Sequence, residues 1–154
     1  MTTNLDYEKQ LLLHADLRRS AVQFIKTAND LWYNHAIELV IFRNSVLDKT
    51  PNEIIDLHKY AGDFVGKPIS VYDTNQIAEV LLKQELPPAK LDIGKLTHEY
   101  DRDSFDEMQI HEFLNQHLKG IRKIKEFEPR DVVLYGFGRI GRLLARQLMS
   151  QTGK

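Results

Sequence analysis

The sequence predicts a mainly α fold over residues 1–128, a helical bundle, followed at 129–154 by the opening strand and helix of an α/β domain. Three observations carry this. Apolar residues recur at three-to-four-residue spacing through most of the first 120 positions. Residues 50–53, Thr-Pro-Asn-Glu, give each position a helix-start role. Residues 131–142 read DVVLYGFGRIGR, a continuous apolar run entering a glycine-rich turn that opens a second apolar-periodic stretch.

Taken in order, residues 5–18 read as a helix of loose register, with Leu11, Leu12 and Leu13 adjacent. Residues 20–47 read as a long helix, because Val22, Ile25, Ala28, Leu31, Trp32, Ala36, Leu39, Val40 and Val46 share one face. Trp32, Tyr33 and Phe42 sit on that helix as core or as a subunit contact. A third helix starts at Pro51: Thr50 caps it, Glu53 reaches back, and Gly66-Lys67-Pro68 stops it after about Phe64. A fourth spans about Asp73 to Glu85, with Ile77, Val80 and Leu81 inward, and Pro87-Pro88 turns it into a loop through residue 103. Ser104, with Glu107 three residues on, opens a fifth whose buried face is Ile110, Phe113, Leu114, Leu118 and Ile121. Residues 122–130 are charged and carry Pro129, as a domain linker would.

Composition bounds the function. With 42% hydrophobic and 28% charged residues this is the make-up of a globular protein. No apolar stretch reaches the roughly 20 residues that span a bilayer. The N-terminal MTTNLDYEKQ lacks the apolar core of a signal peptide, which points to the cytoplasm. The absence of cysteine excludes a disulfide, a thiolate nucleophile and a thiolate metal site within these residues. Net charge is −1, yet from Ile121 onward eight Lys and Arg face three Asp and Glu. Those basic positions are sparse and interrupted by apolar ones, so they suit a site for an anionic cofactor, or a solvated helix, better than a nucleic acid.

Several motifs fall short. His111-Glu112 begins like a zinc-binding helix, but Asn115 stands where the second histidine must be. Asp101, Asp103 and Glu112 echo a calcium loop, but Phe105 and Asp106 occupy a ligand and the obligatory glycine. Gly66-Lys67 lacks the first glycine and the hydroxyl of a phosphate loop. On the last helix Arg139, Arg142 and Arg146 lie opposite Ile140, Leu144 and Leu148. That pattern suits a helix packing on its own sheet, or a membrane surface, and only the first also explains the glycines.

The glycine turn carries the chemistry. Gly136-Phe137-Gly138-Arg139-Ile140-Gly141 satisfies G-x-G-x-x-G, preceded by the apolar run Val132–Tyr135 and followed by RLLARQLM. In that context Gly136 permits the strand-to-helix turn, Gly138 lets backbone approach a pyrophosphate, and Gly141 lets helix and strand pack closely. The helix N-terminus then faces the phosphates. This is the Rossmann arrangement.

The stretch YGFGRIGR resembles the start of the NAD-binding domain of the glyceraldehyde-3-phosphate dehydrogenase family, with Tyr135 where ordinary members have asparagine. The helical region before it, including residues 91–96, is similar to the N-terminal extension of that family's long bacterial forms. The resemblance implies NAD or NADP as cofactor, bound by Gly136, Phe137, Gly138, Arg139, Ile140 and Gly141. It also implies a phosphorylated aldehyde substrate, a homo-oligomer, and no nucleic-acid or membrane partner. Erythrose-4-phosphate dehydrogenase shares the loop, so the substrate stays open. The family's catalytic cysteine and histidine have no counterpart here, and the acidic ribose ligand, about 20 residues past the loop, would fall beyond Lys154. Since a βαβ unit needs roughly 30 residues or more, these 154 residues are expected neither to turn over substrate nor to hold NAD tightly. The competing expectation is a helical interaction module in which the nucleotide loop is vestigial.

Overall fold

The computed structural model describes residues 2–100, 106–122 and 132–151. The elements are α1 (Thr2–His35), β1 (Ile37–Ile41), β2 (Asn44–Ser45), α2 (Pro51–Val65), α3 (Val71–Leu82), β3 (Ala89–Asp92), α4 (Ile93–Glu99), α5 (Glu107–His117), α6 (Lys119–Arg122) and α7 (Arg139–Gln151). The fold is mainly helical, with one small mixed sheet of order β2-β1-β3. No described helix is long and apolar enough to cross a membrane.

The core forms where α1 packs on α2 and α3 and where the sheet meets α4. Phe24 and Leu31 of α1, Ile37, Leu39 and Ile41 of β1, Ile54 of α2, Ile77 and Leu81 of α3, and Ile110 and Leu114 of α5 are almost wholly buried. Each such side chain contributes about 1.5–3 kcal/mol by leaving water. The buried face of α5 is the one the periodicity predicts, with Leu118 closing it and Ile121 half-buried.

The helix starts behave as their residues dictate. At α2 the Thr50 hydroxyl accepts from the Glu53 N–H (3.3 Å), and the Glu53 carboxylate accepts from the Thr50 N–H (2.8 Å), a complete capping box. Gly66 follows α2 at φ +70°, the left-handed stop that glycine adopts without strain. At α3 the start lies two residues earlier than predicted, because the Ser70 hydroxyl caps the Asp73 N–H at 3.3 Å. That helix also ends earlier, at Leu82. Before α5 the cap position is Asp106, without a side-chain cap bond; Ser104 lies outside the described residues, as do positions 123–130 of the expected linker.

Two expectations are corrected. The helix expected over residues 20–47 ends at His35, while its N-terminal part is continuous with the loose stretch before it. Ala36 turns the chain at φ +53°, and Ile37–Ile41 leave as a strand. The apolar spacing of residues 36–46 fits either period. Ile37, Val40 and Ile41 are β-branched, and parallel pairing with β3 decides for the strand, with Ile37 opposite Ala89 and Leu39 opposite Leu91. Phe42 is therefore at a hairpin tip instead of on a helix, where it is half-buried and packs against the core, while Tyr33 is exposed. The second correction concerns the expected loop 87–103. Its first part forms β3 and α4: Pro88 ends one segment, the Ala89 N–H donates to the Ala36 carbonyl at 3.2 Å, and Asp92 caps α4 through the Lys95 N–H at 3.1 Å.

The helical part of the expected 129–154 unit forms as α7. The predicted strand Val132–Tyr135 belongs to no ladder among the described residues, and Val133 and Tyr135 are almost fully exposed. A strand needs a neighbour for its backbone groups, and this stretch has none there.

Candidate functional site

The turn between residues 135 and 142 is built by its glycines. Gly136 has φ +96°, a conformation closed to most side chains. A Cβ on Gly141 would fall on the Gly136 carbonyl, so only glycine lets α7 start this close to the preceding turn. Around Gly138 a Cβ would meet nothing within 4 Å, leaving the backbone approachable from outside. The Gly138 carbonyl accepts from the Arg142 N–H at 3.0 Å, which makes Gly138 the residue that caps α7. Glycine brings no side-chain acceptor to the first N–H groups of that helix, those of Arg139, Ile140 and Gly141. No acidic residue lies in the first turn, and Arg139, Arg142 and Arg146 stand exposed along α7.

Five of the six predicted site residues come together here. Gly136, Gly138, Arg139, Ile140 and Gly141 line an open concavity of about 540 Å³, together with Leu144 and the apolar run before the turn. Phe137 is outside that lining, with its ring largely exposed.

A feature the sequence did not announce lies in the bundle. His58 on α2 is 3% exposed; its Nδ1–H donates to the Ile54 carbonyl at 2.8 Å. That bond fixes the neutral tautomer, and burial lowers the imidazole's pKa below 6.5. Nε2 is left buried without a hydrogen-bond partner. Phe24 packs against the ring edge to face, with centroids 5.6 Å apart. His58 also walls a cavity of about 700 Å³ with Leu17, Ile55, Ile69 and Val71. The available signal was its spacing: His58 falls on the same face of α2 as Ile54, Ile55 and Ala61.

The motifs that fall short have ordinary roles. His111 Nδ1 accepts from Asn115 Nδ2 at 3.0 Å on an exposed helix face, and no group of three metal-binding side chains occurs among the described residues. Gly66-Lys67 is the end of α2.

No family model matches the sequence. A protein of Pseudomonas aeruginosa (strain UCBPP-PA14) described as glyceraldehyde-3-phosphate dehydrogenase-like is 29% identical over 134 residues. The match takes in 84% of this chain and 29% of that protein, so the chain spans under a third of its relative's length. The similarity is a distant one to a dehydrogenase-like protein, and its length requires that it take in most of the helical region.

Proposed function

We propose that this chain is the N-terminal part of an NAD- or NADP-dependent, phosphorylating dehydrogenase of the glyceraldehyde-3-phosphate type, and is not competent for catalysis by itself. The observation that carries this is the turn: Gly136 needs its positive φ, Gly141 has no room for a Cβ, and Gly138 leaves the backbone open at a helix N-terminus. The positive φ of Gly136, the open backbone at Gly138 and the close approach of Gly141 to the Gly136 carbonyl support reading the turn as a pyrophosphate cradle. Gly136, Gly138 and Gly141 would shape the cradle, the N–H groups of Arg139 and Ile140 would donate to the phosphates, and Phe137 would flank them. A bound dinucleotide supplies the hydride acceptor; these residues hold and orient it and perform no bond chemistry. The chain has no cysteine, so the thiol that attacks the aldehyde must lie elsewhere in the protein. The substrate class is a phosphorylated aldehyde, of three or four carbons. The partners are that substrate, the dinucleotide and further copies of the protein, in the cytoplasm, with neither nucleic acid nor membrane.

The distant relative supports this because its similarity runs across 84% of the chain, helical region included. The test is to sequence the coding DNA beyond codon 154. An in-frame continuation with an acidic residue about 20 positions after Gly141, and a cysteine and histidine later, is the expected result. A stop codon without any such segment downstream overturns it. Calorimetry on the 154-residue chain is expected to show no NAD binding at micromolar concentrations.

One observation favours a second reading, a helical interaction module. The buried core from Ala21 to Leu118 contains no residue of 132–151. Residues 1–125 would then melt cooperatively without cofactor, and a broad, non-cooperative melt would count against it.

A further inference from the structure

The bundle holds a cavity that the dehydrogenase reading does not use. Its volume is about 700 Å³, and it opens between α1, α2 and the start of α3. Small-molecule sites run from about 300 to 1,000 Å³. Every wall residue lies between positions 17 and 71, so the cavity owes its shape to the bundle's own elements and nothing to the tail. The floor is apolar: Ile55, Ile69 and Val71 are buried, and Leu17 is half-buried beside them. Lys59, Asp63 and Lys67 stand exposed at the rim, and Lys59 is ion-paired with Asp56 at 3.6 Å. Two cations and one carboxylate give the mouth no single strong sign.

One polar side chain is set into that floor. His58 is almost wholly buried, with Phe24 packed edge to face on its ring. The Ile54 carbonyl can only accept, so the 2.8 Å bond to it places the imidazole proton on Nδ1. Nε2 then carries a lone pair, and it has no partner among the described residues. A buried acceptor without a partner has given up its bond to water, and only a donor restores it. A carboxylate or phosphate brings acceptors alone and would set lone pair against lone pair. An ammonium would donate, at the cost of carrying a charge onto an apolar floor. We propose that this cavity binds an apolar alcohol, phenols included: a neutral molecule with a compact apolar body and one hydroxyl, which donates to His58 Nε2. Its body covers Ile55, Ile69 and Val71. The site is separate from the glycine turn, needs no dinucleotide, and does not rest on the dehydrogenase reading.

The test is calorimetry with para-propylphenol on the 154-residue chain and on the longest form of the protein. One site per chain, filled below millimolar concentration, is expected in both. The methyl ether of the same body, para-propylanisole, lacks the donor and should bind at least about tenfold more weakly. His58→Phe keeps a ring against Phe24 but removes Nε2, and should bring phenol and ether to equal affinity. Should that variant not fold, the nitrogen resonance of Nε2 in the wild-type protein decides instead: the phenol moves it and the ether does not. Leu17→Trp fills the cavity from α1 and should abolish binding of both, with the melting temperature held because Leu17 is only half-buried. No phenol binding at millimolar concentration overturns the proposal. So does equal wild-type affinity for phenol and ether, a phenol preference kept in His58→Phe, or binding undiminished in Leu17→Trp. Tighter binding of para-propylbenzoate overturns it in favour of an anion held at the rim. Binding that vanishes in the longest form overturns it in favour of a cavity filled by the protein's own later residues.

Discussion

Two side chains show how a single position answers to its surroundings. The Glu53 side chain is about half exposed, yet its pKa falls to about 2, first through the Thr50 N–H it accepts, then through the Thr50 hydroxyl and Lys49. Its folded pKa lies below its unfolded one, so its stabilisation is complete above about pH 4.5 and is lost as pH falls toward 2. Thr50→Ala removes the hydroxyl that accepts from the Glu53 N–H, leaving the backbone N–H bond to the Glu53 carboxylate, and should cost about 1 kcal/mol in urea unfolding at neutral pH. His58 is depressed by a different cause, burial, which its bond to the Ile54 carbonyl only partly offsets. A buried histidine that resists protonation leaves the unfolded state holding more protons below pH 6.5. The melting temperature should therefore fall as pH drops from about 7 to 5. His58→Leu should flatten that dependence whatever its effect on stability at neutral pH; an unchanged slope would assign the acid sensitivity to another group.

Within elements, the β1–β2 hairpin shows most clearly how an unfavourable local conformation is held. Phe42 and Arg43 both have positive φ, 44° and 72°, in a tight turn that asparagine and glycine usually fill. Asp92, arriving on β3, accepts from the Phe42 N–H (2.9 Å), the Arg43 N–H (3.3 Å) and the Lys95 N–H (3.1 Å). One carboxylate thus ties the hairpin tip to the start of α4, and Asp92→Ala should destabilise the protein by about 2 kcal/mol in chemical unfolding. Arg43→Gly, which removes the strain and no packed side chain, should stabilise it by about 1 kcal/mol. At the other glycine-rich turn the sign reverses. Gly141→Ala sets a methyl on the Gly136 carbonyl, so the first turn of α7 must open. In the longest form of the protein, NAD affinity should drop at least tenfold while the bundle's melting temperature holds. An unchanged affinity would remove the turn from the cofactor site.

At the scale of the whole molecule, the bundle and the tail make separate demands. Among the described residues the buried core comes from positions 21–118, so removing residues 126–154 should leave the bundle's melting temperature within a few degrees. Phe24→Ala, at 0% exposure beneath α2, should cost about 3–5 kcal/mol and test whether that core melts as one unit. The glycine turn, by contrast, rests on local geometry and carries no part of that core. A shared site between bundle and turn would require the tail to dock, and its unfolding would then be seen as a second transition.

The sequence by itself determined what depends on residues near one another along the chain. The capping box at Thr50 and Glu53, the glycine stop at Gly66, the buried face of α5 and the glycine turn at 136–141 are local steric and hydrogen-bonding requirements, and all are readable from spacing. The resemblance to a dehydrogenase rested most specifically on that same local turn, with the helical region adding to it. Tertiary structure alone decided the rest. Ile37–Ile41 became a strand because Ala89–Asp92, some fifty residues away, offered it a ladder, while Val132–Tyr135, equally apolar, found none. His58 acquired its lowered pKa and its unpartnered nitrogen only when α1 and α2 closed around it. A strand is defined by its neighbour and a buried imidazole's protonation by its enclosure, and neither Ala89–Asp92 nor Phe24 lies within one turn of the residue it governs.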